Sequence, residues 1–160
     1  MLVAIFLVVA ACFIFVIFLG APYLPSLSTE INNAFTLGNI TKGQTIIELG
    51  CGDGKVLRAA AEKGINSIGY EINPILFVIA WLRTRKYRAL VRVKWGNYWA
   101  KQWPEADAVF VFLTQRYMNK LDKKCMQYKY KPVKLLSFAF EVSGKKKTKQ
   151  LGGIYLYEYR

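Results

Sequence analysis

The pattern of apolar and polar positions divides the chain into an uncharged beginning and an alternating remainder. Leu2 to Leu19 carries no charge and no strongly polar side chain. As a helix at about 1.5 Å per residue it would span about 27 Å, close to the hydrocarbon thickness of a bilayer. One transmembrane helix is therefore expected over residues 1–20, ended by Pro22 and Pro25, which forbid helix continuation. There is no basic n-region, and LGAPY is a poor small-residue cleavage site, so an uncleaved anchor is preferred to a signal peptide. Residues 21–43 read as a linker holding a short helix, with Ser28 as its cap, Glu30 in its first turn and Ile31, Ala34 and Phe35 on one face.

From residue 44 to 160 the pattern is that of a single α/β domain. Thr45 to Leu49 is a β-branched, apolar run of the kind that forms a buried parallel strand, and it breaks into Gly50, Gly52 and Gly54. Lys55 to Lys63 is expected as a helix stopped by Gly64, and Asn66 to Glu71 as the second strand. Pro74 opens a heavily apolar helix, Ile75 to Leu82, with the basic end Arg83 to Arg88. Leu90 to Trp95 alternates apolar and basic residues, as a strand with one wet face does. Asp107 to Leu113 is apolar almost throughout and is expected at the centre of the sheet. A helix from Gln115 to about Met126 leads to the strand Val133 to Phe140, and a last strand runs from Gly153 to Tyr159. Too few residues separate these two strands for a further helix and strand. A six-stranded sheet is expected, with a hairpin joining the last two strands.

The chemistry is concentrated in Thr45 to Gly54, TIIELGCGDG. A strand running into a glycine loop and then a helix brings bare backbone N–H groups against a ligand, because glycine has no Cβ to hold it away. The glycines fall as GxGxG rather than the dinucleotide fingerprint GxGxxG, with Lys55 in the last position. Glu71 ends the second strand about twenty residues beyond the loop, where an acidic side chain takes ribose hydroxyls in Rossmann-like folds. Gly96, Asn97, Tyr98 and Trp99 end the third strand; Thr114 and Gln115 follow the central one at the edge where ligands bind in parallel sheets.

Composition narrows the reaction class. The chain has no His, which removes imidazole acid–base catalysis, His-activated nucleophiles and His-ligated metals. Cys12, Cys51 and Cys125 form no CxxC pair, so no metal site and no disulfide framework is expected. The formal net charge is +13, and every Lys and Arg follows residue 41. That balance suits acidic lipid headgroups, nucleic acid, an acidic protein surface or simply a solvated face. It also favours the domain facing the cytoplasm from a single-pass anchor in the membrane.

With these residues in place, ELGCGDG resembles motif I of the seven-strand S-adenosylmethionine methyltransferases. APYLPS, ELGCGDGK, GYEINP, GNYW and DAVFVFLTQRYMNKL together resemble small, membrane-anchored protein-lysine methyltransferases that modify the ATP synthase c-subunit and the adenine nucleotide translocator. The resemblance covers about Leu2 to Phe140. It implies a Rossmann-like methyltransferase sheet and S-adenosylmethionine held by Glu48, Gly50, Cys51, Gly52, Gly54, Glu71 and Ile72. Asn97 and Tyr98 are implied at the adenine, with Tyr23, Pro25 and Ser26 bordering the cofactor. The implied substrate is a lysine near a membrane surface. Asn97 departs from the family's acidic residue, and FLTQ departs from the NPPY-type motif of adenine-methylating enzymes. An RNA or small-molecule methyltransferase, or a non-catalytic protein keeping the fold, are the alternatives.

Overall fold

The computed structural model describes residues 28–160. Helix α1 (Ser28–Leu37) precedes strand β1 (Thr45–Leu49), helix α2 (Lys55–Glu62), strand β2 (Asn66–Glu71) and helix α3 (Pro74–Thr84). A 3-10 turn (Arg85–Tyr87) leads to β3 (Val91–Trp95) and β4 (Ala108–Val111). Then come α4 (Gln115–Met126), β5 (Val133–Phe138), β6 (Lys149–Leu151) and β7 (Ile154–Tyr159).

The strands form one sheet in the order β3-β2-β1-β4-β5-β7-β6. The first five strands are parallel and β7 runs antiparallel beside β5. The expected six strands are therefore seven. Lys149, Gln150 and Leu151 pair with Leu156, Tyr155 and Ile154 across a turn at Gly152 and Gly153. All three β6 residues are exposed and bonded on one side only. A short wet edge strand needs no apolar alternation, so the sequence pattern carries no trace of it. No helix intervenes between β5 and β6.

Alternation along β1, β4 and β5 sends neighbouring residues to opposite faces. Ile46, Ala108, Phe110 and Leu136 pack with α1 and α2, while Ile47, Leu49, Val109, Val111 and Leu135 pack on the side of α4. Helix α3 lies beside α2, with Ala80 clustered against Leu57, Ala61, Cys51 and Val91. Helix α1 buries Ile31, Ala34 and Phe35 and packs against β6 and β7. Its Glu30 carboxylate accepts from the Gly153 backbone N–H at 3.1 Å, which sets the start of α1 beside the carboxyl end of β5.

The anchor expected over Leu2 to Leu19, and Tyr23, Pro25 and Ser26, lie outside the described residues. Among the described residues no helix is long and apolar enough to cross a membrane. The longest, α4 with 12 residues, would extend about 18 Å against a hydrocarbon core of about 30 Å. The expected single-pass placement with the domain facing the cytoplasm therefore does not stand.

Strand β2 passes close beneath the glycine loop. A Cβ at Gly69 would lie 2.6 Å from Leu57 Cδ1 and 2.8 Å from both Cβ and Sγ of buried Cys51. Gly69→Ala is expected to lower the unfolding free energy by about 1–3 kcal/mol, read as a lower denaturant midpoint with an unchanged slope.

Candidate active site

The site is assembled at the carboxyl ends of β1, β2, β3 and β4. Beyond β1 the chain folds back over β2, and the backbone N–H groups of Gly50 and Cys51 both donate to the Tyr70 carbonyl at 2.9 Å. This reversal needs positive φ at Gly50, Gly52 and Gly54, 82°, 53° and 78°, a region costly for residues with a Cβ. Gly50 has open space where its Cβ would stand, so its backbone is bare on the outer side.

Glu71 fastens the loop. One carboxylate oxygen accepts from the Gly52 N–H and the other from the Asn73 N–H, each at 2.8 Å. Asn73 in turn caps α3, its Oδ1 accepting from Ile75 and Leu76 at 2.9 and 3.3 Å. The Glu71 carbonyl accepts from Gly96 at 2.8 Å, and the Ile72 carbonyl from the Trp95 indole at 3.1 Å. Glu71 therefore already has a protein partner on each oxygen, and only its remaining lone pairs are left for a ligand. Burial raises its pKa, opposed by the backbone N–H donors.

Glu48 is buried as well, 6% exposed, and one of its oxygens, Oε2, has no partner. Burial first, then the charges of Glu71 and Asp53, push its pKa well above the ordinary carboxylate value. Cys51 is buried and its thiol is pushed well up by burial, so it fills space rather than acting as a nucleophile. Asp53 is partly buried; it pairs with Arg83 and accepts from the Lys55 N–H.

Asn97 is half-buried, and its Oδ1 accepts from the Trp99 N–H at 2.9 Å, shaping the turn after β3. Tyr98 is 7% exposed with its hydroxyl unpartnered; burial, then Tyr117 and Glu71, raise its pKa above the usual tyrosine range. Its ring lies 4.9 Å from that of Trp99, which lies 6.1 Å from that of Tyr117 in the first turn of α4. Thr114, just before α4, also buries an unpartnered hydroxyl. The ammonium of Lys120 rests 4.5 Å over the Trp99 ring.

The structure thus brings together Glu48, Gly50, Cys51, Gly52, Gly54, Glu71 and Ile72, with Asn97 and Tyr98 joined to them through the Gly96–Glu71 bond. Sequence reading missed Tyr117, Gly69 and the Asp53–Arg83 pair. The position of Tyr117, three residues past Thr114 at a helix start, was the available signal for the first. Among the described residues no group of three or more His, Cys, Asp or Glu side chains is placed to hold a metal ion.

A mostly parallel sheet with an antiparallel β7 between β5 and β6, a glycine loop after β1 and an acidic residue ending β2 define the class: the chain has the Rossmann-like fold of the S-adenosylmethionine-dependent methyltransferases. An RNA methyltransferase from Salinibacter ruber, solved with S-adenosyl-L-homocysteine, superposes with a TM-score of 0.76 at 22% identity, covering 85% of this chain and 92% of that one. The chain belongs to the ANTKMT methyltransferase domain family, which it matches over residues 48–149, more than half of its length. It is 30% identical over 107 residues to the ATP synthase c-subunit lysine N-methyltransferase of Xenopus laevis, covering 64% of this chain and 46% of that protein. A protein-lysine N-methyltransferase of Saccharolobus islandicus is 26% identical over 129 residues, 77% of this chain and 79% of that protein. The chain spans less than half the length of the vertebrate relatives it matches.

The buried glutamates give the ligand-free protein a pH signature. The folded-state pKa of Glu48 is raised above its unfolded value, so the stability linked to it is present below the ordinary carboxylate pKa and lost as pH rises through the folded one. As pH rises above the ordinary carboxylate range the thermal midpoint is expected to fall. Glu48→Gln should flatten that decline and stabilise the ligand-free chain by about 1 kcal/mol or more at the higher pH, measured by thermal unfolding.

Proposed function

We propose that this chain transfers methyl groups from S-adenosylmethionine to the ε-amine of lysine in a protein substrate, with residues 44–160 as the catalytic domain. The observation that carries the cofactor assignment is the buried, unpartnered Glu48 oxygen beside the bare Gly50 backbone. A buried carboxylate oxygen without a donor is costly, and a cationic amine such as the ligand's α-ammonium would supply one. In this reading Glu48 and the loop Gly50, Cys51, Gly52 and Gly54 hold the amino-acid end. Glu71 receives the ribose through its remaining lone pairs, Ile72 lines the nucleoside and Asn97 with Tyr98 borders the adenine. Tyr23, Pro25 and Ser26 are assigned beside the cofactor on the resemblance to the family alone. The lysine assignment rests on the family and on the relatives' names.

The cofactor supplies an electrophilic methyl group on a sulfonium. The protein's part is to present a neutral amine in line with it and to keep water out. The rings of Trp99 and Tyr117 attract cations, and each already carries one, Lys120 over Trp99 and Arg116 over Tyr117. The Tyr98 and Thr114 hydroxyls, buried without partners, are free to accept from an amine N–H. A low-dielectric site beside a positive charge lowers the pKa of the arriving ammonium, so that its proton passes to solvent water before attack.

Calorimetry on the full chain is expected to give saturable S-adenosylmethionine binding, weakened at least about tenfold by Glu71→Gln, which loses a charge-assisted acceptor but keeps its shape. Methylation should then be detected by mass spectrometry on lysines of protein substrates. A folded chain that binds no cofactor would sink the reading, and transfer to RNA alone would move it to a different substrate class.

A further inference from the structure

Helix α3 turns an apolar flank to solvent. Leu76, Ala80 and Thr84 pin one side of the helix into the fold. Val78, Trp81 and Leu82, at i, i+3 and i+4 on the opposite side, are 49%, 54% and 51% exposed. Trp95, 63% exposed, ends the edge strand β3. It lies on the face from which Val91 and Val93 pack toward α3, and its indole is held by the Ile72 carbonyl at the entrance to that helix. Two tryptophans and two aliphatic side chains so disposed are more than a scatter of single exposed apolar residues.

The charge around this flank has one sign. From Ile72 to Pro104 the sequence contains no Asp or Glu. Arg85, Lys86, Arg88, Arg92 and Lys94 are all exposed along the end of α3, the following turn and the same edge strand. Arg83 is paired with Asp53 and is not counted among them.

We infer that the α3 flank with Trp95 is a peripheral docking face for an anionic lipid surface. Indole rings favour the boundary between headgroups and acyl chains, where their apolar body and polar N–H are both satisfied. Val78 and Leu82 enter the apolar side of that boundary, and the surrounding arginines and lysines meet the phosphates. A nucleic acid strand would use the rings but give the aliphatic side chains nothing to pack on. A second copy in a two-fold contact would set the same acid-free basic surface against itself. The contact needs no crossing segment, and it is independent of the catalytic reading.

The test uses the full chain and vesicles of brominated-acyl phosphatidylcholine with or without phosphatidylserine, reading tryptophan fluorescence. Quenching is expected only with the anionic vesicles and is expected to be reversed by high salt. Trp81→Phe with Trp95→Phe, both at exposed positions, should remove most of the quenching. Arg85→Glu with Arg88→Glu should weaken binding by about tenfold or more. Attachment that leaves Trp81 and Trp95 unquenched would mean that another surface meets the lipid, and the inference would fail. It would fail equally if quenching were the same on neutral vesicles, or if the flank proved to be covered by a second copy in solution.

Discussion

The site depends on one carboxylate. Glu71 accepts from Gly52 with one oxygen and from Asn73 with the other, while its own carbonyl holds Gly96. Three segments far apart in sequence, the glycine loop, the start of α3 and the turn after β3, are thereby fixed to the last residue of one strand. Hydrogen bonds to an ionised acceptor contribute about 1.5–3 kcal/mol each, enough to hold loops that otherwise have little to bury. Positional precision at the carboxyl edge thus comes from the strand's register, carried outward by a single side chain.

The same edge carries polar groups that the fold leaves unsatisfied. Glu48 Oε2 and the hydroxyls of Tyr98 and Thr114 are buried without partners. Such groups cost about 1–3 kcal/mol each when buried, which a domain of this size tolerates only where something else is gained. Here they stand at or just beyond the carboxyl ends of β1, β3 and β4, the edge at which Gly50 leaves its backbone open. The Ser67 hydroxyl and Arg58 Nε are also buried without partners, on strand β2 and helix α2 and away from that opening. The cost of the edge is consistent with a site that completes its hydrogen bonding when ligand arrives.

Much of this was legible in the chain itself. The step from Ile46, Ile47 and Leu49 into Gly50, Gly52 and Gly54 signals a strand, a reversal and a helix start because each residue type is suited to its own backbone region. The apolar run Asp107 to Leu113 marked a central strand, and β4 does lie inside the sheet, between β1 and β5. What could not be read was of two physical kinds. Strand β6 is exposed and three residues long, so it owes its existence to pairing with β7 rather than to burial. The double engagement of Glu71 is a tertiary geometry, since nothing in NSIGYE says that both oxygens are taken by backbone donors.

The two faces of the sheet are covered by different means, and this bears on what forms the wall of the site. One face carries α1, α2 and α3, whereas on the other α4 is the one described helix. The remaining area there is filled by the β3–β4 connection, with Tyr98, Trp103 and Ala106 buried in the same cluster as α4. A loop can substitute for a helix only if its backbone polar groups find partners. The Tyr98 carbonyl accepts from the Trp103 indole at 3.1 Å, and the Pro104 carbonyl from the Tyr128 hydroxyl. Lys124 of α4 donates to the Trp99 and Lys101 carbonyls at 3.1 and 3.0 Å. Its pKa is lowered by burial and by Lys120, as expected of an ammonium used as an internal clamp. The aromatic wall formed by Tyr98 and Trp99 is therefore tied to α4, the helix that follows Thr114, so that one element holds both Trp99 and the Thr114 position.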